Sequence, residues 1–129
     1  MYMSRQKNLL KDKKIATYGT DYMELNKKKC IPCEGGVPPL NEEECNNFLV
    51  ELDDNWSIVS VHHLEREWKF TNFISALDFT NKLGEICEEE NHHADFEIGW
   101  GRVKAIIYTH KIDGLTESDF ILASKFDTK

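Results

Sequence analysis

The sequence predicts a single α+β domain in the order α-β-β-α-β-β-α, with a four-stranded antiparallel sheet covered on one face by helices. Three observations predict it. Apolar residues recur at helical spacing in two separate stretches. Two pairs of short strand-like segments alternate with those helices, each pair joined by only a few residues, as hairpins are. A capped segment closes the chain.

The elements follow in order. Gly35-Gly36-Val37-Pro38-Pro39 breaks regular structure and leads into the domain. Asn41 has the character of a helix N-cap, and Glu44 three residues on completes a capping-box pattern. Cys45, Phe48, Leu49 and Leu52 then form one apolar stripe, and Asp53-Asp54-Asn55 ends the helix. Trp56 to Val59 and Leu64 to Phe70 read as strands. Leu64, Trp68 and Phe70 share a face of the second, with Arg66 its polar member. The connection between them lacks glycine and gives a weak turn signal, and His62-His63 reads there as a plain turn with no part in chemistry.

Thr71 or Asn72 can cap a long second helix. Phe73, Ala76, Leu77, Thr80, Leu83 and Cys87 make its core face, widened by Ile86. It ends in Glu88-Glu89-Glu90-Asn91, where acids oppose the helix dipole, so some of these carboxylates have another task. Phe96 and Ile98 mark a third strand, Gly99-Trp100-Gly101 a turn. Val103, Ala105, Ile107 and Thr109 alternate with Lys104, Ile106, Tyr108 and His110 in a fourth strand. Asp113-Gly114 turns the chain, and Thr116 caps a last helix running to Phe126.

At 129 residues, 40% of them hydrophobic, the chain is one domain that can bury a core. Self-association would add buried area. Charge is unevenly placed: residues 1–29 carry a balance of +5, and residues 30–129 a balance of −12. Residues 1–29 are therefore expected to be a poorly ordered basic extension, with the domain occupying 30–129. The lysines of that extension read as solvated charge, with a nuclear signal as the sharper reading. An acidic domain repels phosphate backbones, which argues against direct nucleic-acid binding. No run is apolar enough to span a membrane, and no secretory signal is evident near Met1, so a cytoplasmic and potentially nuclear location is expected. Cys30 and Cys33 form one CxxC, whereas a structural zinc site needs a second ligand pair. Cys45 and Cys87 fall at apolar helix positions and read as small buried hydrophobes.

His92, His93 and His110 carry the chemistry. The first two sit where a helix gives way to a strand, and the third ends a later strand, so element ends can bring them to one cleft. Imidazole exchanges protons near neutral pH better than any other side chain. Glu88 lies one helical turn before His92, within reach to orient it. Asp119 sits three residues after Thr116, which is also a capping-box spacing. A three-histidine zinc site is the rival. Adjacent histidines on an extended chain point to opposite sides, and HExxH and HxH spacings are absent, so no metal is expected.

Glu88-x-x-x-His92-His93, followed by Trp100, His110 and Asp119, resembles the signature of the pterin-4a-carbinolamine dehydratases. The stretches Glu88 to His93, Gly114 to Phe120 and Cys30 to Leu40 are similar to family text as well. The resemblance spans roughly residues 30–127. One departure is Ala94, where the family has proline; its loss frees one φ angle after the histidine pair.

The resemblance implies dehydration of a 4a-hydroxytetrahydropterin to the quinonoid dihydropterin, in tetrahydrobiopterin recycling, without metal or organic cofactor. It implies His92 and His110 as proton-transfer groups. His93 would hold the pterin, Glu88 would tune the histidine pair, and Trp100 and Asp119 would serve the bound substrate. It also implies a homodimer or homotetramer. An aromatic amino-acid hydroxylase or a transcription factor would be the protein partner. The competing reading is a non-catalytic dimerisation cofactor or assembly chaperone on the same fold.

Overall fold

The computed structural model describes residues 23–31 and 35–129. Seven main elements follow the predicted order: α1 (Glu42–Leu49), β1 (Ser57–Val59), β2 (His63–Lys69), α2 (Phe73–Glu90), β3 (Asp95–Gly99), β4 (Arg102–Ile107) and α3 (Glu117–Phe126). Short 3-10 turns occupy Leu25–Lys27 and His110–Ile112. The four strands form one antiparallel sheet in the order β1-β2-β4-β3, which puts β2 and β4 in the centre.

Local chemistry sets the boundaries. Asn41 accepts from the Glu44 N–H at 2.9 Å while the Glu44 carboxylate accepts from the Asn41 N–H at 3.0 Å, a complete capping box. Asn72, rather than Thr71, caps α2 by accepting from the Ser75 N–H at 2.8 Å. Asn91 ends α2 in the left-handed conformation at φ 51°, and the His92 N–H donates back to the Cys87 carbonyl at 3.2 Å. The β3–β4 hairpin turns at Trp100-Gly101. Gly101 has φ +75°, and a Cβ there would lie 2.8 Å from the Phe70 carbonyl oxygen, so no larger residue fits.

The pleat separates two environments. Leu64 of β2 and Val103, Ala105 and Ile107 of β4 are buried. Leu64, Ala105 and Ile107 pack in one cluster with Leu49, Leu83, Cys87, Phe120 and Leu122 from all three helices. Cys45 and Cys87 lie in this core, as their apolar helix positions imply. Arg66 also points inward. Its guanidinium donates to Asp127 at 2.7 Å and lies 4.7 Å from the Trp68 ring, and the Trp56 indole N–H donates to the same carboxylate at 2.6 Å. The opposite face carries charge, including Lys104 3.2 Å from Glu65 and Arg102 3.2 Å from Glu97.

The boundary drawn at residue 29 from charge balance falls inside a packed segment. Leu25 is 2% exposed within the core cluster, and the turn it belongs to lies on α3. Lys28 pairs with Glu117 at 2.7 Å, and Lys125 donates to the Asn26 carbonyl at 2.9 Å. Lys28 and Lys29 are thus drawn to acidic α3 and α2, and one leucine anchors this strap of chain. The remainder of the predicted extension, residues 1–22, lies outside the described residues, as does Cys33. Among the described residues, no helix is long and apolar enough to cross a membrane.

Candidate active site

Three element ends meet beside the sheet: the C-terminus of α2, the end of β4 and the N-terminus of α3. The first two line a cleft of about 290 Å³ with Asn91, His92, His93, Tyr108, Thr109, His110 and Lys111, and α3 braces it from behind through Asp119. The three histidines singled out from sequence therefore share one site.

His92 is the most firmly held. Its side chain is 16% exposed, and its Nε2 lies 2.6 Å from Oδ1 of Asp119, which is fully buried. A carboxylate only accepts, so the hydrogen of that bond sits on Nε2 and leaves Nδ1 as the free ring nitrogen. The other Asp119 oxygen accepts from the Thr109 hydroxyl at 2.8 Å, the Thr116 N–H at 2.8 Å and the Thr116 hydroxyl at 3.3 Å. Asp119 thus closes the helix start, as its spacing predicts, and anchors His92 as well. One carboxylate ties α2, β4 and α3 together.

His93 points the other way, as neighbouring residues on an extended chain must. Its Nε2 pairs with the Glu88 carboxylate, with the two side chains 54% and 79% exposed. Glu88 thus serves His93 and not His92, correcting the sequence expectation: the left-handed residue Asn91 redirects the chain after α2, so helical spacing no longer applies. A second, shallower groove of about 940 Å³ runs from His93 along α2, past Glu88, Gly84 and Thr80 to Phe96.

His110 stands in the 3-10 turn after β4, its side chain 57% exposed. Its Nε2 is 3.5 Å from the exposed Asp95 carboxylate, and its ring meets Tyr108 edge-on at 4.2 Å. Trp100 does not join them. It sits at the β3–β4 hairpin tip, the far end of β3 from the histidine pair, and is 74% exposed. Five residues of extended strand separate it from the cleft, so this chain does not bring its indole to the site.

Sequence reasoning overlooked four lining residues, Asn91, Tyr108, Thr109 and Lys111. Tyr108 was legible, since it shares a strand face with His110 two residues away. Thr109 was not, because its hydroxyl matters only through Asp119, which arrives from another element. The adjoining strap adds a buried cluster at the end of α2. The Cys30 N–H donates to Glu90 at 2.9 Å, with Lys125 at 3.6 Å and Lys29 at 3.7 Å. Burial pushes the Cys30 thiol up to about 12, and the neighbouring Glu90 charge adds to the shift. Among the described residues, no group of three or more His, Cys, Asp or Glu is arranged to hold a metal ion.

Fold and site together define a small α+β protein with a histidine-lined cleft at the junction of three elements. The chain belongs to the pterin 4 alpha carbinolamine dehydratase family, whose model matches residues 38–129. Relatives bearing the name "Putative pterin-4-alpha-carbinolamine dehydratase" include one from Rubrobacter xylanophilus, 54% identical over 81% of this chain and 96% of its own length. Another, from Rickettsia canadensis, is 52% identical over 81% of this chain and 96% of its own. A crystal structure titled as a transcriptional coactivator/pterin dehydratase from Brucella melitensis superposes with a TM-score of 0.64 at 31% identity, covering 70% of this chain and 96% of that one.

Proposed function

We propose that this protein dehydrates a 4a-hydroxytetrahydropterin to the quinonoid dihydropterin by histidine acid–base catalysis, as a step in tetrahydropterin recycling. The observation that carries the reading is the buried His92–Asp119 pair at a cleft that His93 and His110 also enter. Family membership supplies the substrate class.

The chemistry needs one acid and one base. The N5 lone pair forms the C4a=N5 bond as the C4a–O bond breaks. Hydroxide leaves poorly, so an acid protonates the departing oxygen and water is released. A base takes the N5 proton, and no net proton is consumed. His92 and His110 come from different elements and can address different parts of a flat ring lying between them. Asp119 holds His92 in one tautomer and would steady its imidazolium whenever the ring is charged. His93, exposed and paired with the exposed Glu88, suits substrate holding better than proton transfer.

The test is a dehydration assay on chemically prepared 4a-hydroxytetrahydropterin with no added metal. His92→Ala and His110→Ala should each lower kcat about 10-fold or more, while His93→Ala raises KM more than it lowers kcat. The double variant should approach the uncatalysed rate. Loss of activity on chelation, restored by zinc, would sink the metal-free mechanism. If His92→Ala and His110→Ala both stay folded and turn over like wild type, the non-catalytic reading of this fold becomes the better account.

A further inference from the structure

The β1–β2 connection is strained, and the strain lies next to a histidine that the proposed mechanism does not use. Ser60 and Val61 both adopt left-handed backbone, at φ 55° and 52°. For a β-branched residue such as Val61 this is a rare and costly conformation, which persists only where its surroundings enforce it. The partly buried Val61 side chain packs against the core cluster and holds the turn. A glycine would relax the backbone and lose that anchor.

The outcome of the turn is the placement of His62. Its ring lies 4.6 Å from the Tyr108 ring, and Tyr108 in turn meets His110 at 4.2 Å. Its Nε2 donates to Asp113 Oδ1 at 2.7 Å. Asp113 is the left-handed residue that ends the 3-10 turn beginning at His110. His62 therefore touches the His110 turn twice, through the Tyr108 ring just before it and through the exposed Asp113 carboxylate at its end, and the ring contact is the firmer hold. His63 stands edge-on beside His62, ring centroids 5.2 Å apart, and His63 Nε2 donates to Glu65 at 2.8 Å. His110 itself has little other support, because its carboxylate partner Asp95 is 3.5 Å away, beyond good hydrogen-bond distance. His92 has a buried aspartate; His110 has this clamp instead. The pair is thus not the plain turn that the sequence suggests.

We infer that His62 is a positioning residue for His110, fixing its imidazole at the cleft through Tyr108 and Asp113. The inference rests on His110 being a proton-transfer group. Loose orientation of a catalytic group costs rate rather than binding, so His62→Ala should lower kcat about 5-fold with KM and melting temperature little changed. Asp113→Gly keeps the left-handed backbone and removes an exposed carboxylate, and should reproduce a smaller part of that loss, because the Tyr108 contact remains. His62→Gln retains an amide donor toward Asp113 and should recover part of the rate.

A double-mutant cycle on turnover decides the matter. If His62 acts through His110, then His62→Ala has no further effect once His110→Ala is present. An equal loss in both backgrounds, or no loss in either, overturns the positioning role while leaving the catalytic reading intact. A fully active His110→Ala overturns the reading of His110, and the inference with it.

Discussion

Two adjacent histidines, each paired with one carboxylate, sit in opposite environments. His92 meets Asp119, with side chains 16% and 0% exposed; His93 meets Glu88, with side chains 54% and 79% exposed. The pairs look alike as chemistry and differ as physics. The exposed one is screened by water and salt, and pairs of that kind contribute about 0–1 kcal/mol. The buried one has no water to replace a lost partner, so removing a member leaves polar groups stranded. Burial, rather than the count of ion pairs, decides which histidine is held rigidly enough to exchange protons in one geometry.

The largest expected effect follows from that contrast. Asp119→Ala strands His92, Thr109 and the Thr116 N–H together, and should cost about 3 kcal/mol of stability as well as turnover. Asp119→Asn separates the two losses. Its amide oxygen can still accept from Thr109 and Thr116, but its NH2 then faces His92 Nε2 and drives the ring hydrogen to Nδ1. Melting temperature should stay close to wild type while kcat falls about 10-fold or more. Full turnover in Asp119→Asn would show that capping alone accounts for this residue.

Glu90 extends the comparison to a second buried carboxylate, two residues from Glu88 on the same helix. Burial opposes its ionisation, yet the Cys30 N–H and the Lys125 and Lys29 charges outweigh that and hold its carboxyl below the usual glutamate value. A carboxyl depressed in the folded state contributes stability above its unfolded value, and this is lost as pH falls through the folded one. Wild type should therefore exceed Glu90→Gln in melting temperature at about pH 7, and the gap should close as pH falls below about 4. A gap that stays constant with pH would mean that Glu90 acts by shape alone.

What the sequence made legible follows the same divide between local and distant causes. The Asn41 cap, the alternation of β4 and the Asp119 spacing depend on neighbours in the chain, and each is read within a few residues. The β1–β2 turn was obscure because Val61 is left-handed through tertiary packing against its own preference. Residues 24–29 of the strap were assigned by charge to a loose extension, and one buried leucine outweighs that signal. In the site, the three histidines were legible as residue types at element ends. Their partners were not, because the left-handed Asn91 exchanges the carboxylates: Glu88, near His92 by helical spacing, reaches His93, while Asp119 arrives from 27 residues away.

The smallest effect belongs to Glu88, and its smallness is the sharpest check on the comparison. Both members of its pair are more than half exposed, so water solvates each one when the other is removed. Glu88→Gln should leave the melting temperature unchanged and alter kcat by less than about 3-fold. Any rise in KM should shrink as salt is raised from about 0.05 to 0.5 M, because screening already weakens the wild-type pair at the higher value. A loss approaching that of Asp119→Asn, and indifferent to salt, would break the comparison. It would mean that bound substrate covers His93 and Glu88 and turns the exposed pair into a buried one, so that burial on ligand binding, rather than burial in the free protein, governs this half of the cleft.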